Sequence, residues 1–434
     1  MELESRQNVF ICRLFVNSFK NQNGHWAGYA LILLLPFSVY WPIGSSFAPE
    51  VLDFYARPGF YLSDLAVGAV LLANLVGKRG HYRWGQLKLT WPLLALIGLA
   101  ILTMPMALSP GLAGYMALRW FIAVSLYLSL IQSDLPLKRL VTLFLVGLSL
   151  HALIGLGQVL KQGPLGLPGE LAVELDRSGA AVITTGGMPW LRAYGLTFHP
   201  NVLGGFMVIG LLLSLPLLTQ RSLRLLWWLL SVGLLLSFSR SAWLAAALVL
   251  PPVIGWLAWR QPSLRRPMGV ILGGTMLLAL VGTIFLTGQL KSRFNPRATL
   301  TESRSLSERG VLIGIALDVI ANRPLTGIGA GNFPLVVQIS GASVTPQPVH
   351  NVPLLLAAEI GLAAGGLWFW LWLTPGIAID HLWRRPDPWP VVLIGAWLAW
   401  GVIGLWDSYP WALESGRLLT VTLFGLISRA LENV

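Results

Sequence analysis

The sequence predicts an all-α integral membrane protein, and three observations support this fold class. Hydrophobic residues make up 55% of the 434 residues, charged residues make up 11%, and the mean hydropathy is +0.69. A soluble domain carries roughly 25% charged residues, so this chain has less than half of the usual charge. The 20 tryptophans suit the aromatic belts that form at membrane interfaces. Together these values exclude an ordinary cytosolic enzyme and a disordered chain.

Apolar segments recur along the whole chain. Most are about 17 to 25 residues long, which is enough to cross roughly 30 Å of hydrocarbon. They lie near 27–47, 62–77, 91–109, 113–132, 139–160, 200–219, 222–238, 241–259, 268–289, 352–380, 389–407 and 411–428. The sequence has no internal repeat and no separable soluble domain. We therefore expect about 12 transmembrane helices in a single polytopic domain that covers residues 1–434.

Basic residues in the short loops predict how the chain is oriented. Lysine and arginine are enriched in cytoplasmic loops, and here they alternate strictly from loop to loop. These residues are Arg6, Arg13, Lys20, Lys78, Arg79, Arg83, Lys88, Lys138, Arg139, Arg221, Arg224, Arg260, Arg265, Arg266, Arg384, Arg385 and Arg429. Both termini are therefore expected to be cytoplasmic. The net charge of +12 is mostly explained by topology, and we expect no nucleic-acid partner.

Two outer segments, 161–199 and 290–350, are long, and we expect the second to contribute to the site. The second is net basic, which suits an anionic substrate, although a loop of about 60 residues can be exported whatever its charge. Ser305 and Glu308 match a capping box, and apolar positions follow from Leu312 to Ile320. This pattern predicts a short amphipathic helix that lies against the membrane surface or over a cavity.

Metal and cofactor chemistry finds little support in the sequence. Cys12 is the only cysteine, which excludes a disulfide framework and a cysteine metal cluster. The histidines lack metal-ligand spacing, and no Asp-x-Asp occurs. The glycines of 327–331 lack the flanking strand and helix of a dinucleotide site, so we interpret them as turn residues. We expect no metal and no cofactor.

The first candidate residues precede the span near 200–219. Arg192 could direct its guanidinium at a phosphate, with Asn201 as a supporting donor. The alternative is an interfacial turn in which Arg192 snorkels and His199 is packed. Arg240 lies between two spans that are joined by almost no loop. An arginine at this depth needs a partner or must snorkel. A charge-assisted bond to a ligand phosphate would contribute about 1.5–3 kcal/mol.

The remaining candidates lie in and after the large outer loop. Arg309 falls in the first turn of the predicted helix. A helix start disfavours a cation, so an anion bound there would explain the position of Arg309. A salt bridge to Glu308 or Glu302 is the alternative. His350 lies just outside a helix for which Asn351 is the expected N-cap, and it could act as a general base. Glu359 lies about 13 Å further along the axis, so we do not expect it to orient His350. Arg119 and Glu414 fall inside spans and could pair with each other.

These pieces, in this order and on one predicted side, resemble the O-antigen ligase / O-antigen polymerase superfamily of bacterial membrane glycosyltransferases. The matching residues are Arg192 with Pro200 and Asn201; Ser239, Arg240 and Ser241; Arg309 with the stretch from Asn322 to Phe333; and His350, Asn351, Glu359 and Gly361. The resemblance covers most of the chain. The family pattern does not account for His199, which leaves open which histidine is the base.

The resemblance implies a metal-independent, inverting transfer at the periplasmic face of the bacterial cytoplasmic membrane. The donor would be a glycan on a polyprenyl pyrophosphate, and the acceptor a glycan or a lipid core. Arg192, Arg240 and Arg309 would hold the pyrophosphate, while His350 would take the proton of the acceptor hydroxyl. Asn201, Asn351, Glu359 and His199 would be supporting residues. The family motifs do not separate a ligase from a polymerase.

The rival interpretation is a membrane transporter, either for a lipid-linked glycan or for a small anion such as bicarbonate. About twelve spans fit this class as well. Helices broken near the middle of the bilayer would favour transport. Candidate residues that cluster at one face favour catalysis there. The two interpretations differ in whether His350 and the arginines share one site.

Overall fold

The computed structural model describes residues 24–76, 83–171, 180–295, 300–377 and 387–432, and these residues are mostly helical. The helices are α1 (Gly24–Leu34), α2 (Asp53–Ala56), α3 (Leu62–Val76), α4 (Leu87–Thr103), α5 (Pro110–Ile131), α6 (Leu137–Lys161), α7 (Pro200–Ser214), α8 (Arg221–Ser237), α9 (Arg240–Arg260), α10 (Pro262–Phe285), α11 (Thr287–Phe294), α12 (Leu300–Asn322), α13 (Phe333–Ile339), α14 (Val352–Ile360), α15 (Leu362–Ile377), α16 (Trp389–Gly404), α17 (Tyr409–Ala412) and α18 (Glu414–Glu432).

Two short antiparallel hairpins interrupt the helices. Strand β1 (Tyr40–Pro42) pairs with β2 (Gly59–Tyr61), and β3 (Val182–Thr185) pairs with β4 (Met188–Leu191). The three long segments that surround these hairpins contact one another at one end of the bundle. Ser38 donates its backbone N–H to Leu196 O at 3.1 Å, and Gln338 Nε2 donates to Glu50 Oε2 at 2.9 Å. We call this end, formed by 35–61, 162–171, 180–199, 286–295 and 300–351, the loop face.

Six helices of the described residues are long and apolar enough to cross a membrane. They are Leu87–Met106, Pro110–Ile131, Leu137–Lys161, Pro200–Leu217, Arg240–Arg260 and Pro262–Phe285. Shorter apolar helices occur at His25–Leu34, Leu62–Val76 and Trp389–Gly404. The multi-pass helical class is therefore as predicted, whereas the number of about twelve spans stays a prediction. Of the basic residues that predict the orientation, Arg6, Arg13, Lys20, Lys78, Arg79, Arg384 and Arg385 lie outside the described residues.

The single helix expected over 352–380 is wrong, because α14 ends at Ile360 and α15 begins at Leu362. Gly361 joins them with φ of +102°, a conformation that glycine tolerates best. A Cβ added at Gly361 would lie 2.2 Å from Leu325 O. Helix α15 then turns back along α14, since a Cβ on Gly365 would meet Pro353 O at 2.9 Å.

The glycine-rich stretch 327–331 fills the space beside this turn, as its interpretation as turn residues predicts. Gly329 N–H donates to Glu359 O at 2.7 Å, and Leu362 N–H donates to Pro324 O at 2.8 Å. The three glycines of the stretch have positive φ values between 59° and 98°. The stretch therefore fastens the end of α14, and with it the segment that carries His350.

The predicted start of the helix in the large outer loop is also wrong. Helix α12 begins at Leu300 and is 23 residues long, so Arg309 lies in its third turn and not in its first. Glu308 does not close a capping box; its Oε1 accepts from Arg304 Nε at 2.9 Å, an i,i+4 ion pair within the helix. The argument that a helix start places an anion beside Arg309 therefore fails.

Helix α7 lies at the centre of the bundle. All of its 15 residues are buried, because α6, α8, α9 and α16 pack around it. Its apolar residues are largely leucine, valine, phenylalanine and methionine, and the glycines allow close approach of its neighbours; a Cβ on Gly204 would lie 2.6 Å from Ser237 Oγ. A helix enclosed in this way holds its first turn, at the loop face, in a fixed position.

A buried charge network joins α3, α5 and α18. The Arg119 guanidinium contacts Asp64 through two nitrogens, at 2.8 and 3.0 Å, and Glu414 Oε1 at 2.6 Å. Arg417 Nη2 donates to Glu414 Oε2 at 2.9 Å. The pairing of Arg119 with Glu414 suggested by the sequence is therefore confirmed. Each charge in the network has an opposite partner, as buried charges require.

Replacing Glu414 by glutamine should destabilise the fold. The change leaves two buried guanidinium groups with a single carboxylate, and breaking a buried ion pair costs about 3–5 kcal/mol. We expect a clear fall in the Tm of the purified protein in detergent, measured by scanning fluorimetry. Asp53→Asn is the matched control, because the Asp53–Arg57 pair is largely exposed. Equal melting of Glu414→Gln and wild type would contradict this assignment.

Candidate active site

The candidate site is built around one buried carboxylate, Asp407. This residue follows α16, is 3% exposed, and lies where the ends of several helices meet at the loop face. Asp407 Oδ2 accepts from Ser241 Oγ at 2.8 Å and from Asn201 Nδ2 at 3.1 Å. Its Oδ1 faces His350 Nδ1 at 3.2 Å. Three segments distant in sequence thus converge on one side chain.

Asp407 is held in its ionised form. Burial alone would raise the pKa of this carboxyl group, but the hydrogen bond from His350, the electrostatic attraction to its imidazole and the positive charge of Arg309 hold its pKa well below its usual range. A carboxylate can only accept hydrogen bonds, so His350 Nδ1 carries a proton. Nε2 of His350 is then the nitrogen that can act as a base. The His350 side chain is 22% exposed, which leaves it accessible.

The turn between α8 and α9 carries Ser241 and Arg240. The turn is tight because Phe238 adopts the left-handed conformation, with φ of 47°, and Ser239 caps α9 by accepting from Ala242 N–H at 3.4 Å. Two arginines hold its backbone: Arg192 Nε donates to Ser237 O at 2.8 Å, and Arg293 Nε donates to Phe238 O at 2.9 Å. Arg240 is the first residue of α9 and is partly exposed.

Arg192 reaches the site, but its guanidinium serves the protein itself. It is 4% exposed, and besides Ser237 O it donates through Nη2 to Asn201 Oδ1 at 2.5 Å. These contacts fix the first turn of α7 against the α8–α9 turn. The geometry therefore favours a structural role for Arg192 over direct contact with a pyrophosphate.

His199 acts as the N-cap of α7, because its Nδ1 accepts from Asn201 N–H at 3.1 Å. Burial, together with the nearby charge of Arg192, lowers the pKa of His199 to about 3. This histidine is neutral and committed to the helix start. This cap gives His199 a structural role, which the family pattern does not provide.

Asn351 and Glu359 support the two ends of α14. Asn351 caps the helix as predicted, accepting from Leu354 N–H at 2.8 Å, and also donates to Leu405 O at 3.0 Å. It therefore fastens the His350 segment to the chain just before Asp407. Glu359 accepts from Phe333 N–H at 3.2 Å and is 2% exposed. It anchors α13 to the far end of α14, which agrees with the expectation that it does not orient His350.

Arg309 lies on α12, which packs against α14. Its side chain is partly exposed, and its charge is one of those that lower the pKa of Asp407. Arg240 and Arg309 are thus the two candidate arginines at the site whose side chains are partly accessible. Within the described ranges, no three His, Cys, Asp or Glu side chains come together as a metal site would require.

The sequence analysis missed Asp407 and gave no role to Ser241 or Arg293. A signal for Asp407 was present, because an acidic residue at the end of an apolar span is costly and usually functional. Its 57-residue separation from His350 hid the pairing. Ser241 was visible only as a neighbour of Arg240. Arg293 was one of several basic residues in the large loop, and nothing in the pattern set it apart.

Comparisons with known proteins address the family. The chain finds no match among curated proteins. Residues 225–369 match the family model described as O-antigen ligase. That segment contains Arg240, Arg309, His350 and Glu359, whereas Arg192, Asn201 and Asp407 lie outside it. Residues 225–369, about a third of the chain, are thus similar to the O-antigen ligase family, in agreement with the resemblance of the sequence to the O-antigen ligase / O-antigen polymerase superfamily.

Proposed function

We propose that the protein is a glycosyltransferase that moves a glycan from a polyprenyl pyrophosphate to an acceptor hydroxyl. The observation that carries this proposal is the contact between buried Asp407 and His350 Nδ1 at 3.2 Å. It fixes the imidazole so that Nε2 is the basic nitrogen, as a general base for a hydroxyl requires. The similarity of residues 225–369 to the O-antigen ligase family supports the same class of reaction.

The transfer is a single displacement. The acceptor oxygen forms a bond to the anomeric carbon while the bond from that carbon to the phosphate oxygen breaks. The acceptor proton passes to His350 Nε2, and the electron pair leaves with the polyprenyl pyrophosphate. Asp407 stabilises the imidazolium that forms. Attack opposite the leaving group inverts the anomeric centre.

Arg240 and Arg309 are proposed to hold the pyrophosphate. A guanidinium matches phosphate oxygens with two parallel donors, and its charge becomes more effective as the leaving group gains negative charge. Both side chains are partly exposed, whereas Arg192 is enclosed by protein acceptors. We assign Arg192 to the support of the site.

The loop face is proposed to be the periplasmic side of a bacterial cytoplasmic membrane, with both termini in the cytoplasm. The basic residues of the short loops support this orientation. A lipid-linked donor would keep its polyprenyl chain in the bilayer and present its pyrophosphate at the loop face. The candidate site residues lie together at one end of the helix bundle. This placement suits catalysis at the membrane surface better than a transport route through the middle of the bilayer.

Replacing His350 by alanine should reduce transfer about 10²-fold or more, because the acceptor loses its base. The assay supplies purified protein with a polyprenyl-pyrophosphate glycan, a panel of glycan and lipid-core acceptors, and EDTA, and it follows the release of polyprenyl pyrophosphate. His25→Ala is the control, since His25 is exposed and contacts Tyr29 within α1. Wild-type release in His350→Ala would remove His350 from the chemistry, and His199 would be tested next.

The same assay tests the rival interpretation. Movement of the lipid-linked glycan across proteoliposomes, with no released pyrophosphate for any acceptor, would indicate a transporter. The acceptor that supports release distinguishes the two enzymes: a lipid core indicates a ligase, and a second lipid-linked glycan indicates a polymerase.

Asp407→Asn should lower kcat by about 10³-fold or more. The asparagine amide can donate to His350 Nδ1, which shifts the imidazole proton to Nε2 and removes the base. The KM for the donor should change little, because Asp407 is not expected to contact it. Thermal unfolding of the variant controls for misfolding. An Asp407→Asn protein with wild-type kcat would contradict the orienting role.

Arg309→Lys should reduce kcat about 10²-fold, because lysine keeps the charge but loses the planar pair of donors. Arg304→Lys is a matched control on the same helix, since Arg304 is 72% exposed and pairs with Glu308 at the surface. We expect wild-type transfer from that control. Equal rates for both variants would show that Arg309 does not stabilise the leaving group.

A further inference from the structure

The contacts of Asp407 fix the orientation of its carboxylate group. Its Oδ2 receives both neutral donors, Ser241 Oγ at 2.8 Å and Asn201 Nδ2 at 3.1 Å, while Oδ1 faces His350. Asn201 Nδ2 also lies 3.4 Å from Oδ1. The two carboxylate oxygens therefore share Asn201, but only Oδ2 accepts from Ser241 and only Oδ1 faces His350, and this fixes the plane of the carboxylate relative to the imidazole.

Asn201 has its amide orientation set from both sides. Its Oδ1 accepts from Arg192 Nη2 at 2.5 Å, so its Nδ2 is the end that donates to Asp407. Ser241 is held in turn by its contact with Ser239, with 3.2 Å between the hydroxyl oxygens. Asn201 and Ser241 are 6% and 7% exposed, so water does not readily replace either donor.

Both donors occupy equivalent positions on rigid helices. Asn201 is the second residue of α7, and Ser241 is the second residue of α9. Helix N-termini carry a partial positive charge that stabilises a nearby anion. Because α7 is wholly buried, a side chain on its first turn is held with little freedom.

We infer that Asn201 and Ser241 are positioning residues, which hold the Asp407 carboxylate in the orientation that directs His350 Nε2 to the acceptor. Asn201 additionally joins Arg192, and through it the α8–α9 turn that carries Arg240, to the His350–Asp407 pair. This inference rests on the proposed function. It differs from the sequence expectation, in which Asn201 assists an arginine in binding phosphate.

Several titratable and charged groups face Asp407, and all bear on its protonation. They are His350 before α14, Arg309 on α12 and His199 before α7, together with the phenols of Tyr55 on α2 and Tyr409 on α17, whose pKa values are raised by burial and by the charge of Asp407. Loss of a neutral donor should raise the pKa of Asp407, because the carboxylate form loses a hydrogen bond. The acid limb of the kcat profile should then move to higher pH.

The test compares Ser241→Ala, Asn201→Asp and wild type in the transfer assay. Asn201→Asp has nearly the same shape and can still accept from Arg192, but it no longer donates to Asp407. We expect each change to lower kcat about 10-fold or more, with an unchanged KM for the donor and the acid limb at higher pH. Ser241→Thr, which retains a hydroxyl, should recover most of the rate. Ser231→Ala is the matched control, because Ser231 donates to Trp227 O within α8.

A double-mutant cycle separates this inference from the proposed function. If Ser241 acts through His350, adding Ser241→Ala to His350→Ala should cause no further loss of the residual transfer. An equal loss in both backgrounds, or a lower rate with an unshifted pH profile, would overturn the positioning role while leaving the glycosyltransferase intact. Full activity of His350→Ala would instead remove the proposed function on which the inference rests.

Discussion

The site depends on the requirement that a buried carboxylate be surrounded by donors. Asp407 is almost fully enclosed, and an ionised group there would be prohibitively costly without compensation. Two helix N-termini, an amide, a hydroxyl and an imidazole provide that compensation. Each donor belongs to a different part of the chain. The ends of α7, α9, α14 and α16 therefore meet at the loop face around one charge.

A second cluster of buried charges is also compensated by its neighbours, but there the neighbours carry the opposite charge. Arg119, Asp64, Glu414 and Arg417 pair within the bundle, and every charge in the cluster meets an opposite charge. Asp407, in contrast, is balanced mostly by neutral donors and by a histidine that can gain or lose a proton. The first arrangement resists change. The second leaves one partner free to change its protonation state, which is the property that proton transfer needs.

The sequence predicts the helical membrane class and the local features of the fold, because these depend on composition and on nearby residues. The helix start at Asn351, the glycine turns of 327–331 and the Arg119–Glu414 pair follow from rules of that kind. The helix break at Gly361 does not, because an isolated glycine in an apolar run is usually tolerated, and only the backbone of 324–325 lying against it explains the turn. Asp407 was missed for a related reason: its role comes from three partners that are distant in sequence. Arg192 and Arg309 were found by residue type, but the contacts that distinguish their roles depend on the tertiary structure.

The order in which the chain is made adds a constraint. Arg119 meets Asp64 55 residues earlier in the chain, but Glu414 is made 295 residues after it. In synthesis from the N-terminus, the guanidinium therefore has only one of its two carboxylate partners until α18 is made. Asp407 lies just before Glu414 in the chain. The carboxylate that pairs with Arg119 and the carboxylate that orients His350 are therefore made at almost the same time. A chain that stops before Asp407 would lack both carboxylates.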